Sequence, residues 1–222
     1  ACQKVKIEYE KTVPFLDARM ALENEEFVLP TRTFKRGDAE KSLVSSKNRL
    51  EGEQLVRGQE HFYLEGQVSV ASPNEDGGVH VISSSQHPTE VQKLVASVLG
   101  VGINRVDAEV RRMGGGFGGK ESQAAAIACL ASIFAIRNGR PAKYKLARQD
   151  DMVQTGKRHD FWNRYRVGFN DQGLISGVEM HLAGMCGCTA DLSEGIVDRA
   201  MFHADNAYFY PSVMIKGFRC KT

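Results

Sequence analysis

Apolar and polar residues alternate from Val5 to Tyr9, the period of a half-buried strand, and Pro14 ends the run. Within Asp17 to Asn24, the grouping of Ala18, Met20, Ala21 and Leu22 predicts a short helix with Asp17 at its N-cap. Residues 25 to 48 show little periodicity. Lys35, Arg36, Lys41 and Lys47 mix there with Gly37, Ser42 and Ser45, and a connector is expected. Arg49 to Arg57 returns to a strand pattern. Gln67 to Ser72 and Val79 to Ser83 flank the turn cluster Pro73-Asn74-Glu75-Asp76-Gly77-Gly78, which predicts a β-hairpin.

Val91, Leu94, Val95, Val98 and Leu99 then fall on one helix face, with Pro88 near the start and Gly100 just past the end. Val106, Ala108 and Val110 alternate with charged neighbours and predict a strand over 105–111. A nearly uncharged stretch after the glycine cluster predicts a buried helix over 121–137, stopped by Gly139 and Pro141. Ala142 to Leu146 reads as a strand. Arg164 to Phe169 and Leu174 to Leu182 make a second hairpin around Asn170-Asp171-Gln172-Gly173. Asp198 to Asn206 is expected to be helical, and Val213 to Cys220 forms a final strand. Hairpins with helices between them define an α+β class, with mixed sheets and packed helices.

Composition narrows the picture. The chain has 222 residues, 42% hydrophobic and 25% charged, the profile of a globular protein with a sizeable core. A net charge of +2 gives no electrostatic case for nucleic acid or an anionic membrane. The longest apolar run, Ala124 to Ile136, is too short to span a bilayer. The chain opens on Ala1 without an initiator Met, so a piece of a longer protein is expected. Cys2, Cys129, Cys186, Cys188 and Cys220 are odd in number and irregular in spacing, which suits reduced thiols in an intracellular protein. The six histidines form no HxH or HxxxH pair, which argues against a zinc site.

The chemistry concentrates in Arg111-Arg112-Met113-Gly114-Gly115-Gly116-Phe117-Gly118-Gly119-Lys120-Glu121, between a strand pattern and a helix pattern. Such a turn lets a backbone approach a ligand closely or aim N–H groups at an anion. Gly114-x-Gly116-x-x-Gly119 matches the dinucleotide fingerprint. Two details count against that reading: the preceding strand is charged at alternate positions, and no acid ends the next one. A tight turn without a ligand stays open as a second reading.

Taken together with Gly58-Gln59-Glu60-His61-Phe62-Tyr63-Leu64-Glu65, the glycine cluster resembles the molybdopterin-binding subunit of the xanthine dehydrogenase family. Further segments agree in order and spacing: Gly139-Arg140-Pro141, Asp151-Met152 with Thr155-Gly156 and Arg158-His159, Arg164-Tyr165 with Val167-Gly168-Phe169, and Asp198 to His203 with Asp205-Asn206. Arg219-Cys220-Lys221-Thr222 completes the set, and the resemblance covers nearly the whole chain.

The resemblance implies a fold, a cofactor and roles. Residues 1–48 would be the end of a small α/β, hammerhead-like domain plus a connector, and 49–222 the first part of a molybdopterin-binding domain. The cofactor implied is molybdenum–molybdopterin, with 2Fe-2S clusters, FAD and NAD elsewhere in the complex. Gln59 is implied as the amide that hydrogen-bonds an oxygen ligand of the metal. Gly116, Phe117 and Gly118 would pass beside the metal and cofactor, the Phe117 backbone nearest the molybdenum. Glu121, at the start of the buried helix, and Arg199 would hold a purine. The implied reaction is hydroxylation of hypoxanthine or xanthine to urate, with oxygen from water and electrons leaving through iron–sulfur and flavin to NAD. The base is expected beyond Thr222, so this piece alone should be inactive. The partners implied are a purine, the rest of the molybdenum subunit, an iron–sulfur/FAD subunit or domain and a dimeric assembly, in the cytoplasm. Two alternatives stay open: an aldehyde oxidase or another N-heterocycle hydroxylase, and a non-catalytic structural or assembly module.

Overall fold

A period-2 stretch becomes a strand only where another strand takes up its backbone N–H and C=O groups, and that condition decides which sequence expectations hold. The computed structural model describes residues 4–222. It divides into two compact units: Ala1–Arg57 with His159–Thr222, and Gly58–Arg158. The fold is α+β, with two mixed sheets and six helices among the described residues.

The first unit holds α1 (Ala18–Glu23), β1 (Phe27–Arg36), α2 (Ala39–Ser45), β2 (Asn48–Val56), β7 (Phe161–Phe169), β8 (Ile175–Met185), α6 (Ser193–Phe202) and β9 (Val213–Cys220). Its sheet runs β1-β9-β8-β7-β2, antiparallel throughout except for the parallel pair β8–β9, which α6 connects. β2 and β7 pair without a register shift from Asn48↔Phe169 to Val56↔Phe161, so residues 58–158 are inserted between two neighbouring strands. Val197 and Met201 of α6 pack on β8 and β9 with Val178, Leu182, Val213 and Ile215. Gly217 admits this contact: a Cβ there would lie 2.9 Å from Val197 Cγ1 and closer still to the Met201 side chain.

The second unit holds β3 (Val68–Pro73), β4 (Val79–Ser83), α3 (Pro88–Leu99), β5 (Val106–Glu109), α4 (Gln123–Asn138), β6 (Ala142–Lys145) and α5 (Arg148–Gln154). Its sheet runs β5-β4-β3-β6, with β4–β5 parallel and the other pairs antiparallel. Ala125, Ala128, Ala131 and Ala135 of α4 face Ala71, Val79 and Val81, and Val91 and Val95 of α3 share the same core. Small residues let α4 approach the sheet closely. Its buried Ser132 hydroxyl donates back to Ala128 O at 2.7 Å, so no polar group is left unpartnered there. Gly100 and Gly139 end α3 and α4 in the left-handed conformation, as expected of helix C-caps.

Several expectations are corrected. Val5–Tyr9 has no regular structure, and Val5, Ile7 and Tyr9 are exposed, because no described strand pairs with them. The connector at 25–48 is in fact β1 and α2. Pro30 and the charged residues hid an edge strand that pairs only with β9. α2 is capped by Asp38, whose carboxylate accepts from the Lys41 N–H at 3.0 Å. Separately from the domain assignment, the contacts divide the chain near 57 and 158, and β1 shares its sheet with β9. β5 is shorter than 105–111, α4 starts at Gln123 and not at 121, and α6 covers Ser193–Phe202 in place of 198–206. α5 has no apolar stripe to reveal it: its one buried residue is Asp151.

Gly217→Ala in the protein carrying this chain is expected to lower stability by about 1–3 kcal/mol, because the added methyl must displace Val197 and Met201. A urea titration that leaves the midpoint unmoved would contradict this packing.

Candidate functional site

Between β5 and α4, residues 110–122 leave regular structure and carry the glycine cluster. The Gly119 N–H donates to Gly116 O at 2.8 Å and closes a tight turn whose central residues, Phe117 and Gly118, have φ of +53° and +92°. Positive φ at both centres is the type I′ pattern. Gly118 adopts it without penalty, whereas Phe117 is a bulky residue held where L-residues are strained by about 1–3 kcal/mol. The Phe117 side chain is nevertheless 74% exposed, so burial of the ring does not offset that strain. Gly115 (φ +92°) lies under the Phe117 ring: a Cβ there would sit 3.0 Å from Phe117 Cε2.

The loop's amides are largely used by the protein itself. Gln86 Oε1 accepts from the Gly118 N–H at 2.9 Å and the Lys120 N–H at 3.2 Å. The Glu65 carboxylate accepts from the Gly114 N–H at 2.8 Å and the Ser84 hydroxyl at 2.6 Å. Amides already bonded in this way do not form a phosphate cradle, and the turn stands well ahead of α4, so the dinucleotide reading is set aside.

A buried polar cluster supports the turn from below. Lys120 is 0% exposed; its ammonium donates to Glu65 O at 2.6 Å and Ser84 Oγ at 2.7 Å, and lies 4.6 Å from the Tyr63 ring centre. Burial pulls the Lys120 ammonium below its usual pKa range, opposed by Glu65. The Tyr63 hydroxyl donates to Asp151 Oδ1 at 2.7 Å and accepts from Gln67 Nε2 at 3.0 Å. Burial, with the Asp151 bond, pushes the phenol up to about 12. Gln67 Nε2 also donates to Gly119 O at 2.9 Å. The segment 58–65, marked by its sequence alone, therefore lies beneath the loop through Tyr63 and Glu65.

The structure distributes the expected site residues unevenly. Gly116 packs on Gln86: a Cβ there would fall 2.7 Å from Gln86 Cδ. Gly118 is open, its nearest neighbour to a Cβ being His61 Nε2 at 3.8 Å. Gln59 is exposed, and its Oε1 accepts from Arg158 at 3.1 Å, which ties together the two ends of the 58–158 unit. Two other glutamines contact the glycine loop through their amides, Gln67 at Gly119 O and Gln86 at the Gly118 and Lys120 N–H groups, and the sequence reading singled out neither. Only a Ser-Ser-Ser-Gln run at the end of β4 marks Gln86, and the contact of Gln86 with Gly116 and Gly118 is long-range. Both groups bonding its amide oxygen are N–H donors, so the amide orientation is fixed. Its Nε2 has no acceptor among the described residues. Glu121 is half-buried just ahead of the α4 N-cap Ser122. Arg199 is exposed in the last turn of α6, in the other unit. Neither side chain has a hydrogen-bond or ion-pair partner among the described residues, whereas neighbouring Asp198 holds both Arg32 and the buried Arg219.

A concavity of about 550 Å³ lies elsewhere, lined by Glu51, Arg164, Arg166, Glu179 and His181 on the five-stranded sheet. Arg166 there is paired with Glu179 and Glu40, so its charge is matched within the fold. Among the described residues no cluster of three or more His, Cys, Asp or Glu could hold a metal, and Cys129, Cys186, Cys188 and Cys220 are free thiols. Among the described residues no helix is long and apolar enough to cross a membrane.

The architecture is one shared with solved oxidoreductases. An aldehyde oxidoreductase from Desulfovibrio gigas superposes with a TM-score of 0.87 at 20% identity, over 99% of this chain and 25% of that one. The sequence carries the assignment further: residues 22–222 match the molybdopterin cofactor-binding domain, and the chain belongs to that family. It is 43% identical over its full length to a xanthine dehydrogenase/oxidase of Gallus gallus, and spans 16% of that protein's length. It is 39% identical, again over its full length, to aldehyde oxidase 4 of Cavia porcellus, spanning 17% of it.

Two outcomes follow from the turn. Phe117→Gly removes a strained αL side chain that is mostly exposed, so the protein's melting temperature is expected to hold or rise; a marked drop in melting temperature would contradict the strain. The Glu65 carboxyl lies below its usual range: burial opposes ionisation, but the Gly114 N–H, the Ser84 hydroxyl and Lys120 outweigh it. A depressed carboxyl stabilises the fold above its unfolded pKa and loses that contribution as pH falls through the folded value. Amide protection at Gly114 is therefore expected to hold at neutral pH and to decline as pH falls through and below the ordinary glutamate range. Hydrogen exchange of the parent and of Glu65→Gln, from neutral pH down through that range, measures it, and Gly114 protection that is equal in the two at neutral pH would argue against the Glu65 contact.

Proposed function

We propose that this chain supplies one wall of the active site of a molybdenum hydroxylase of the xanthine dehydrogenase type. What supports the reading is the match of residues 22–222 to the molybdopterin cofactor-binding domain and the 43% identity to a xanthine dehydrogenase/oxidase; Glu121 and Arg199, each without a protein partner among the described residues, are the residues assigned to the substrate. A purine ring presents carbonyls that a guanidinium donates to and N–H groups that a carboxylate accepts from. An apolar aldehyde pocket would leave both groups unsatisfied. On this reading Glu121 and Arg199 hold and orient the purine, and Arg199 also steadies negative charge that builds on a ring oxygen during reaction.

The residues at the turn suit the molybdenum–pterin group. Gly118 leaves its surroundings open, Phe117 projects its ring outward, and Gln86 offers two uncharged N–H donors. Donors without charge suit an oxygen ligand beside a high-valent metal, because they orient it without shifting the local charge. Gln59, whose Oε1 accepts from Arg158, likewise keeps its Nε2 hydrogens available, so both glutamines are candidates for that contact. When bound, the group supplies the two-electron oxidation and the oxygen derived from water.

The remaining steps belong to the longer protein: a base beyond Thr222, electron transfer through 2Fe-2S clusters and FAD to NAD, and a dimeric, cytoplasmic assembly. Assignment of residues 1–48 to the end of a preceding small α/β domain belongs to the same proposal.

Molybdenum analysis of the full-length protein is expected to give about one metal per chain. A metal-free protein would favour a structural module. Glu121→Val and Arg199→Met are each expected to lower kcat/KM for hypoxanthine by about 10–100-fold, the cost of one lost polar contact to the substrate. Aldehyde turnover should hold or rise. Unchanged purine turnover, or a purine activity already weaker than the aldehyde activity in the parent, would favour an aldehyde oxidase.

A further inference from the structure

Of the groups buried near the turn, Lys120 stands out because packing alone does not require it. A fully buried ammonium is costly unless every N–H is bonded, and an apolar side chain of the same length would fill the space without that cost. Here each of its hydrogen-bonding groups has a fixed partner. The side chain donates to Glu65 O (2.6 Å) and Ser84 Oγ (2.7 Å), with Glu65 Oε2 at 3.5 Å. Its backbone N–H donates to Gln86 Oε1 at 3.2 Å, and its backbone C=O accepts from the Gln86 N–H at 2.8 Å and the Ser85 hydroxyl at 3.3 Å. Glu65 in turn grips the far end of the loop: its carboxylate accepts from the Gly114 N–H, and its own N–H donates to Gly114 O at 3.1 Å. One residue thus joins the segments 63–65 and 84–86 to both ends of the loop, and Gly115 to Gly118 span the clamped points.

The geometry points to Lys120 as a positioning residue. Through Glu65 and Gln86 it fixes the strained Gly116–Gly119 turn, and so aims the Phe117 ring and the free Gln86 amide hydrogens at the ligand held against the loop. The functional consequence rests on the reading above; the clamp itself rests on the hydrogen bonds alone. Lys120 touches neither substrate nor metal in this role. Its effect passes entirely through the turn, and a turn loosened by a fraction of an ångström misplaces two groups at once.

The test uses the full-length protein. Lys120→Met keeps the side-chain length and removes the donors. Glu65→Gln keeps an acceptor for the Gly114 N–H and removes the charge. Each is compared with the parent by thermal melting, by hydrogen exchange of peptides covering 113–120, and by kcat and KM for hypoxanthine. In Lys120→Met, exchange of the loop is expected to quicken about tenfold or more while exchange elsewhere holds, a local and not a global opening. kcat is expected to fall about tenfold or more with KM within about twofold, the signature of lost alignment and not of lost binding. Glu65→Gln should give the same changes at smaller size. Loop exchange unchanged in Lys120→Met overturns the proposal, as does a kcat loss matched by a general rise in exchange. Should Lys120→Met fail to fold, Glu65→Gln decides: unchanged loop exchange overturns the clamp, and quickened loop exchange supports it. A parent protein without molybdenum would sink the functional reading, while the exchange comparison would still judge the clamp.

Discussion

A lysine ammonium and a glutamate carboxylate meet beneath a glycine turn, and the presentation of that turn depends on their contact. Removing such charges from water costs several kcal/mol unless each is paired and hydrogen-bonded. Lys120 and Glu65 meet that demand with each other, with Ser84 and with backbone at both ends of the loop. Tyr63, Gln67 and Asp151 extend the cluster and reach Gly119 O from the other side. What this polar cluster supports is a conformation the chain would not choose unaided: a phenylalanine at positive φ with its ring turned outward. Strain at one exposed point, backed by satisfied polar groups behind it, is the pattern expected where a loop has to meet something outside itself.

Much of the fold was legible in the sequence where periodicity was strong and capping chemistry explicit. α3 lies where Val91, Leu94, Val95, Val98 and Leu99 place it, between Pro88 and Gly100, and β9 covers the predicted Val213–Cys220. β1 was not legible, because an edge strand with one solvated side and a proline does not need to alternate. Val5–Tyr9 shows the reverse: alternation without a described partner gives no strand. α5 was hidden because its buried residue is a carboxylate that serves Tyr63, and no pattern of apolar side chains reports that.

The site was legible as a place and less so as a set of contacts. The glycine cluster and the segment 58–65 could be marked, but not the way they meet, since the links run through Gln86, Glu65 and Lys120 across long separations. Gln59 sat in the conspicuous motif and is bonded to Arg158; Gln86 sat in an inconspicuous one and carries the loop. Glu121 and Arg199 stood out by sequence, and the structure adds that their charges have no partner among the described residues. Asp198, beside Arg199 in α6, is by contrast fully engaged with Arg32 and Arg219, so the helix backbone next to Arg199 is anchored while its side chain is left free.

The pairing of β2 with β7 has a bearing on how the chain assembles. These strands are sheet neighbours from Asn48↔Phe169 to Val56↔Phe161, yet residues 58–158 lie between them in sequence. Joining them from an unfolded chain closes a very long loop, with the entropic penalty and slow search that such closure brings. If the inserted unit folds first, its own contacts, including the Gln59–Arg158 bond at its two ends, bring the strand ends together beforehand. The hairpin then behaves like one with a short, rigid connection. In that order the unit carrying the glycine turn would form early and the five-stranded sheet would close on a connection already shaped, at a lower entropic cost than the reverse order.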